Sequence, residues 1–127
     1  MEVIHSGFFH KEGSWVRTWK RRYFEISRDG KITYKESESA TVVNGVFDIS
    51  GRLNIERGTS PSSIKTEDSC SIWIQSDSTG RKLHVVLDNQ DDYRKFCMGI
   101  AQACKFHNIY VSQKCIFLVL YICICIF

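Results

Sequence analysis

A chain of 127 residues has room for one domain and is too short for a TIM barrel or an enzyme with a separate cofactor module. With 43% hydrophobic and 24% charged residues it can build a core, and its single proline excludes a Pro-rich or collagen-like polymer. The net charge of +3 is too small to mark a bulk nucleic-acid binder, so where the cations sit matters more than their sum.

Residues 5–11 read as a short strand, and Glu12-Gly13-Ser14 follows with turn chemistry. Residues 19–26 form a second strand, rich in aromatics, and Arg28-Asp29-Gly30 is a hairpin turn with Asp-Gly as its signal. The third strand is 31–35, followed by a polar loop over 36–41. Further strands are expected at 45–49, 53–57, 71–75 and 82–87, separated by clusters of Gly, Ser, Pro, Asp and Thr. Seven short strands punctuated in this way predict a small antiparallel barrel or sandwich. The period then changes. Tyr93, Phe96, Cys97, Ile100 and Cys104 fall on one face of a helix. Asn89 supplies an N-cap, Asp91 and Asp92 put negative charge on the positive pole, and Lys105 suits the opposite one. The fold class expected is mostly β with one C-terminal helix.

Between positions 11 and 22 stand Lys11, Arg17, Lys20, Arg21 and Arg22 against one acid, Glu12. Strand alternation puts Lys20 and Arg22 on the face of Phe24 and Ile26, while Trp19, Arg21, Tyr23 and Glu25 share the other. Phe24 and Ile26 must face the core, so Lys20 and Arg22 face the same way at the strand's beginning. Two cations cannot sit deep among apolar side chains. They can sit at an open mouth that faces solvent or an anionic guest. Lys11 shares parity with Gly7 and Phe9, and a hairpin brings it beside Lys20. Lys and Arg donors around a concavity suit several phosphates, because Arg offers a planar fork and Lys a movable point charge. The loop between the strands carries Trp15 and Val16, a pair suited to the interfacial layer of a bilayer. Solvated cations on a hairpin are the plainer reading of the charge run.

These residues carry a family resemblance. Gly7-Phe8-Phe9-His10-Lys11, Thr18-Trp19-Lys20-Arg21-Arg22-Tyr23-Phe24, and Asp29-Gly30 followed by Tyr34-Lys35 resemble the start of a pleckstrin homology (PH) domain. The likeness is greatest to the PH domains of the protein kinase B family, and Arg81-Lys82-Leu83-His84-Val85 is similar to their Arg-led seventh strand. The resemblance spans about residues 3 to 107. It implies a PH-like seven-stranded bent antiparallel barrel, capped at one end by the helix, with a phosphoinositide headgroup bound at the other. It further implies that Lys11, Lys20 and Arg22 hold the phosphates, that Arg17 lies in the loop closing over them, and that Arg81 and Asn44 are further headgroup contacts. Lys11 with the Lys20-x-Arg22 pair is similar to members that prefer 3-phosphorylated lipids. Where the family usually has a helix tryptophan, this chain has Phe96.

Other chemistry is not expected. His5, His10, His84 and His107 lack metal-ligand spacing, no cofactor or catalytic motif is present, and no nucleophile has an evident base. The aromatics are not laid out on one exposed sheet face, so a nucleic-acid partner is not expected. The partners implied are phosphoinositide lipids, with a protein-interaction scaffold or a regulatory fragment of a serine/threonine kinase as alternatives. Cysteines 70, 97, 104, 115, 123 and 125 show no zinc or Cys-x-x-Cys spacing, and the first twenty residues hold no signal-like apolar run, so reduced thiols in a cytoplasmic protein recruited to the plasma membrane are expected. The domain is placed at 1–107. Residues 108–127 read as a hydrophobic tail outside it, with an uncharged run of thirteen from 115, short of the roughly 20 that a spanning helix needs. Weak anchoring and intron read-through, prompted by a Val111-Ser112 pair that GTAAGT encodes, are both readings of that tail.

Overall fold

The computed structural model describes residues 2–13, 15–66 and 70–104, and the backbone of 109–111. The elements are β1 (Val3–Glu12), β2 (Trp19–Ser27), β3 (Lys31–Lys35), β4 (Gly45–Asp48), β5 (Leu53–Arg57), β6 (Ser71–Ser76), β7 (Lys82–Val86), α1 (Gln90–Ala103) and β8 (Ile109–Val111). All seven strands expected from the punctuation are present, each within about two residues of its expected bounds.

The first seven strands pair antiparallel in the order β4-β3-β2-β1-β7-β6-β5. Every one of them sends apolar side chains into a single buried cluster: Phe9, Phe24 and Ile26, Ile32, Phe47, Leu53, Ile72 and Ile74, Leu83 and Val85. A sheet whose successive strands all bury one face in the same cluster has to curl around it, and that curvature makes the barrel. The β2–β3 hairpin turns on Gly30, whose φ of +88° lies in the left-handed region that a side chain disfavours. The Gly30 amide donates to the Ser27 carbonyl at 3.0 Å and closes the turn.

Helix α1 caps the barrel. The Asn89 side-chain oxygen accepts the Asp92 amide at 2.8 Å, and Asp91 and Asp92 occupy the first turn. The whole expected stripe of Tyr93, Phe96, Cys97, Ile100 and Cys104 is buried. Phe96 meets Phe9 and Phe24 edge-on at 5.9 and 5.1 Å between centroids. Burying such a ring contributes about 1.5–3 kcal/mol, so phenylalanine fills the plug position without an indole. The helix crosses the end of the barrel where β1 begins and β2 finishes, since His5 and Ile26 lie beside Gly99. No basic residue occupies the helix's last turn, and Lys105, expected there, lies outside the described residues.

The ladder pairs Lys11 with both Lys20 and Val85, and Tyr34 with Gly45. The β1–β2, β3–β4 and β6–β7 loops therefore gather at the end opposite the helix. Strand β8 adds a parallel partner to β5 within the segment that the sequence reading assigns to the tail. The apolar run from 115 to the end lies outside the described residues. Cys70, Cys97 and Cys104 are buried.

Candidate functional site

Lys11 stands opposite Lys20, and Phe9 opposite Arg22, across the β1–β2 ladder. Along β2 the inward face passes from exposed Lys20, through half-buried Arg22, to buried Phe24 and Ile26. The cations thus sit where the core face emerges at the open end. Together with Tyr34 and Asn44, Lys11, Lys20 and Arg22 line a cleft of about 340 Å³, and Gly13, Trp15, Val16 and Thr18 complete its wall. That volume falls within the roughly 300–1,000 Å³ of small-molecule sites.

The cleft is cationic. Among the described residues, no carboxylate pairs with Lys11, Lys20 or Arg22. The Lys11 ammonium donates to the Glu12 carbonyl at 3.1 Å and lies 5.0 Å from the Tyr34 ring centre. Burial, and then repulsion from Arg81 and Arg22, pull the Lys11 amine below its ordinary range, with the Glu12 carboxylate opposing. Arg22 donates to the Arg21 carbonyl at 3.2 Å, a bond that leaves its charge uncompensated.

Arg21, one position away on the other face of β2, differs. It forks onto Asp88 with contacts of 3.1 and 3.0 Å and lies over the Phe8 ring. Neighbouring arginines are therefore in opposite electrostatic states because a strand alternates.

The remaining predicted residues fall as follows. Arg81, in the β6–β7 loop, donates to the Val46 carbonyl at 2.8 Å and lies over the Phe47 ring; it does not line the cleft, but its charge reaches Lys11. Arg17 is exposed on the β1–β2 loop and does not line the cleft either. The Gly13 amide bonds to the Thr18 carbonyl at 2.9 Å and the Thr18 amide to the Val16 carbonyl at 2.7 Å. These bonds fold the loop so that Trp15 and Val16 project, 95% and 63% exposed. Sequence reasoning missed Tyr34 and Thr18 as cleft residues. For Tyr34 the signal was available, because it shares parity with inward-facing Ile32 on β3.

A second polar cluster lies behind the β1–β2 hairpin. The Ser71 hydroxyl is 2.7 Å from His84 Nε2, and His84 Nδ1 is 3.7 Å from a Glu12 carboxylate oxygen. The order of groups is that of a nucleophile, base and acid, but Ser71 is fully buried. A Cβ on Gly58 would come within 2.4 Å of the Ser71 oxygen, so the backbone there seals the hydroxyl from any substrate. Trp73 stacks on the His84 ring at 4.0 Å and Trp19 meets it edge-on at 4.8 Å. Burial holds His84 below the ordinary imidazole range, with Glu12 opposing, and the cluster packs as structure. A larger groove of about 510 Å³ runs over β5, β6 and the start of β7 past Glu56, Trp73, Gln75 and Lys82, without a concentration of one charge sign. Among the described residues, no group of three or more His, Cys, Asp or Glu side chains is placed to hold a metal, and no helix is long and apolar enough to cross a membrane.

Comparisons with known proteins agree with this architecture. The C-terminal PH domain of pleckstrin superposes with a TM-score of 0.64 at 18% identity, covering 81% of this chain and 97% of that one. The same domain solved in complex with D-myo-Ins(1,2,3,4,5)P5 gives 0.63 at 16% identity, covering 80% and 98%. Human RAC-beta serine/threonine-protein kinase is 44% identical over 41 residues, which is 32% of this chain but only 8% of the kinase. The family model for the PH domain matches residues 3–105, most of the chain, and the chain belongs to the PH domain family.

Proposed function

We propose that the protein is a phosphoinositide-binding module that carries itself, and whatever chain it is joined to, to the cytoplasmic face of the plasma membrane. In this reading Lys11, Lys20 and Arg22 hold the phosphates of an inositol headgroup. Arg17 closes over them from the loop, Arg81 and Asn44 make further contacts, and Trp15 and Val16 dip into the bilayer interface. A 3-phosphorylated headgroup is the preferred ligand, and no covalent chemistry occurs. The observation that carries the proposal is a concave cationic site in which, among the described residues, no carboxylate forms an ion pair with Lys11, Lys20 or Arg22. The inositol phosphate complex of the similar pleckstrin domain supports it. Recognition of this kind is electrostatic and reversible, so it weakens as salt rises.

Binding to phosphatidylcholine vesicles with and without phosphatidylinositol 3,4,5-trisphosphate, for wild type and Arg22→Ala, tests the reading. Both proteins carry the same apolar tail, so its contribution cancels in the comparison. Equal binding by both proteins to both vesicles would remove the lipid reading. That result would favour a protein-interaction scaffold, for which the groove beside Trp73 is the specific support. The short match to RAC-beta kinase supports a regulatory domain of a kinase as the setting of either activity.

A further inference from the structure

Six large hydrophobic residues are exposed among the described residues: Val3, Trp15, Val16, Val42, Val43 and Val46. Five of these, all but Val3, belong to the β1–β2 loop, the β3–β4 loop or the first half of β4. The pairings of β1 with β2 and of β3 with β4 put those loops at the same open end. Val42 is 72% exposed and Val43 49%. Asn44, the next residue, lines the same cleft as Trp15 and Val16, and its amide is pinned to the Tyr34 carbonyl at 2.9 Å. Two exposed apolar segments therefore stand at the open end that holds the cationic cleft.

We propose that the exposed Val42–Val43 segment at the β4 end of the β3–β4 loop is a second membrane-inserting element, which works beside the headgroup cleft together with Trp15–Val16 and seats in the interfacial layer of an anionic bilayer. The inference deepens the lipid reading above and rests on it for the occupant. Charge complementarity selects that occupant, since the cleft beside these segments carries Lys11, Lys20 and Arg22, and among the described residues no carboxylate forms an ion pair with them. A bilayer presents anionic headgroups over an apolar layer, which is the same order of chemistry from the cleft outward. Glu36 and Glu38 stand at the start of the loop and are repelled by such a surface, so insertion is confined to the loop's second half. One inserted tip leaves the domain free to rock about it. A second inserted segment on a neighbouring loop fixes the tilt and holds the cleft against the headgroup plane.

The test uses the full chain, as wild type and as the double variant Val42→Ser/Val43→Ser. Calorimetry with soluble inositol 1,3,4,5-tetrakisphosphate reads the cleft alone. Sedimentation with phosphatidylcholine–phosphatidylserine vesicles containing phosphatidylinositol 3,4,5-trisphosphate reads cleft and apolar segments together. Exclusion pressure on a phosphatidylserine monolayer reads insertion alone. The variant is expected to keep its soluble-headgroup affinity within about twofold, to bind vesicles about 5- to 30-fold more weakly, as for two valines partly withdrawn from water, and to be excluded at a lower surface pressure. The opposite change, Val42→Phe, is expected to raise the exclusion pressure. Vesicle affinity and exclusion pressure equal to wild type in the serine variant would overturn the inference. If the wild type ignores the soluble headgroup, it is the headgroup reading that fails, and the monolayer comparison still decides insertion by the same two outcomes.

Discussion

Lys11→Met separates the site's function from its stability. The Lys11 ammonium lies over the Tyr34 ring, 5.0 Å from its centre, in a half-buried position close to two arginines. Methionine keeps the stem and the aromatic contact and deletes the charge. In the free protein this relieves the repulsion from Arg81 and Arg22. Charge relief of this kind commonly yields about 0.5–2 kcal/mol, and solvent screening of a half-exposed group places it at the lower end. A gain of about 0.5–1 kcal/mol corresponds to a rise in Tm of about 2–8 °C for a domain of this size. Against a phosphate, the same change removes a charge-assisted hydrogen bond worth about 1.5–3 kcal/mol, so headgroup affinity falls about 10- to 150-fold. The wild type carries a further signature. A bound phosphate raises the Lys11 pKa that burial and the arginines had lowered, so binding takes up a proton. Affinity then falls as pH rises through the free-state pKa, and in Lys11→Met this Lys11-linked component is absent. Calorimetry across alkaline pH and a thermal melt measure both effects. A variant that melts earlier than wild type and binds the headgroup undiminished would refute the reasoning.

Arg21→Ala and Arg22→Ala should diverge although the residues are adjacent. The first loses a partly exposed bridge to Asp88, which costs about 0.2–1 kcal/mol in denaturant titration, and keeps most of its vesicle affinity; the second binds vesicles at least about tenfold more weakly with little change in stability. Burial lowers the pKa of His5, His10 and His84 alike. The unfolded chain therefore binds more protons than the folded one between the folded pKa values and about 6.5. Stability should rise with pH through that window and be lost as pH falls through it, and denaturation midpoints from pH 7.5 to 5 that stay flat would contradict it. Phe96→Ala empties the plug between Phe9 and Phe24 and should cost about 3–5 kcal/mol, read as an early or absent thermal transition.

How much was legible depended on the range of the interaction concerned. Strand bounds, the Asp29-Gly30 turn, the Asn89 cap and the buried helix stripe follow from periods and short spacings, and all are found in the structure. The inward direction of Lys20 and Arg22 was legible for the same reason, because alternation is a local rule once Phe24 marks the core side. The path of Arg81 to the Val46 carbonyl was not, since it joins residues 35 positions apart across two loops. The Ser71–His84 pair likewise depends on the β6–β7 register, which sets Trp73 opposite His84. Val42 and Val43 follow a polar stretch, and only the β3–β4 hairpin shows that they end up beside the cleft.

The electrostatic design follows from that alternation. At the outer face of β2 and along the helix, cations meet acids: Arg21 with Asp88, Lys35 with Glu25, Lys95 with Asp91. These pairs are partly solvated, and each contributes little. At the inner face of the mouth the strand places Lys20 and Arg22 toward a concavity whose other walls, among the described residues, supply lysine, tyrosine and asparagine but no acid. The net charge of +3 is therefore distributed so that one small volume carries several uncompensated positive charges while much of the rest is locally neutral. Such a volume has weak attraction for neutral surfaces. Its attraction for a polyvalent anion grows with each added phosphate, because every additional charge meets an unpaired donor already held in place by the β-sheet. A monophosphate would engage one or two of those donors, and only a ring bearing several phosphates engages Lys11, Lys20 and Arg22 at once. Under the function proposed above, selectivity for highly phosphorylated headgroups would follow from a cleft whose described lining holds no carboxylate.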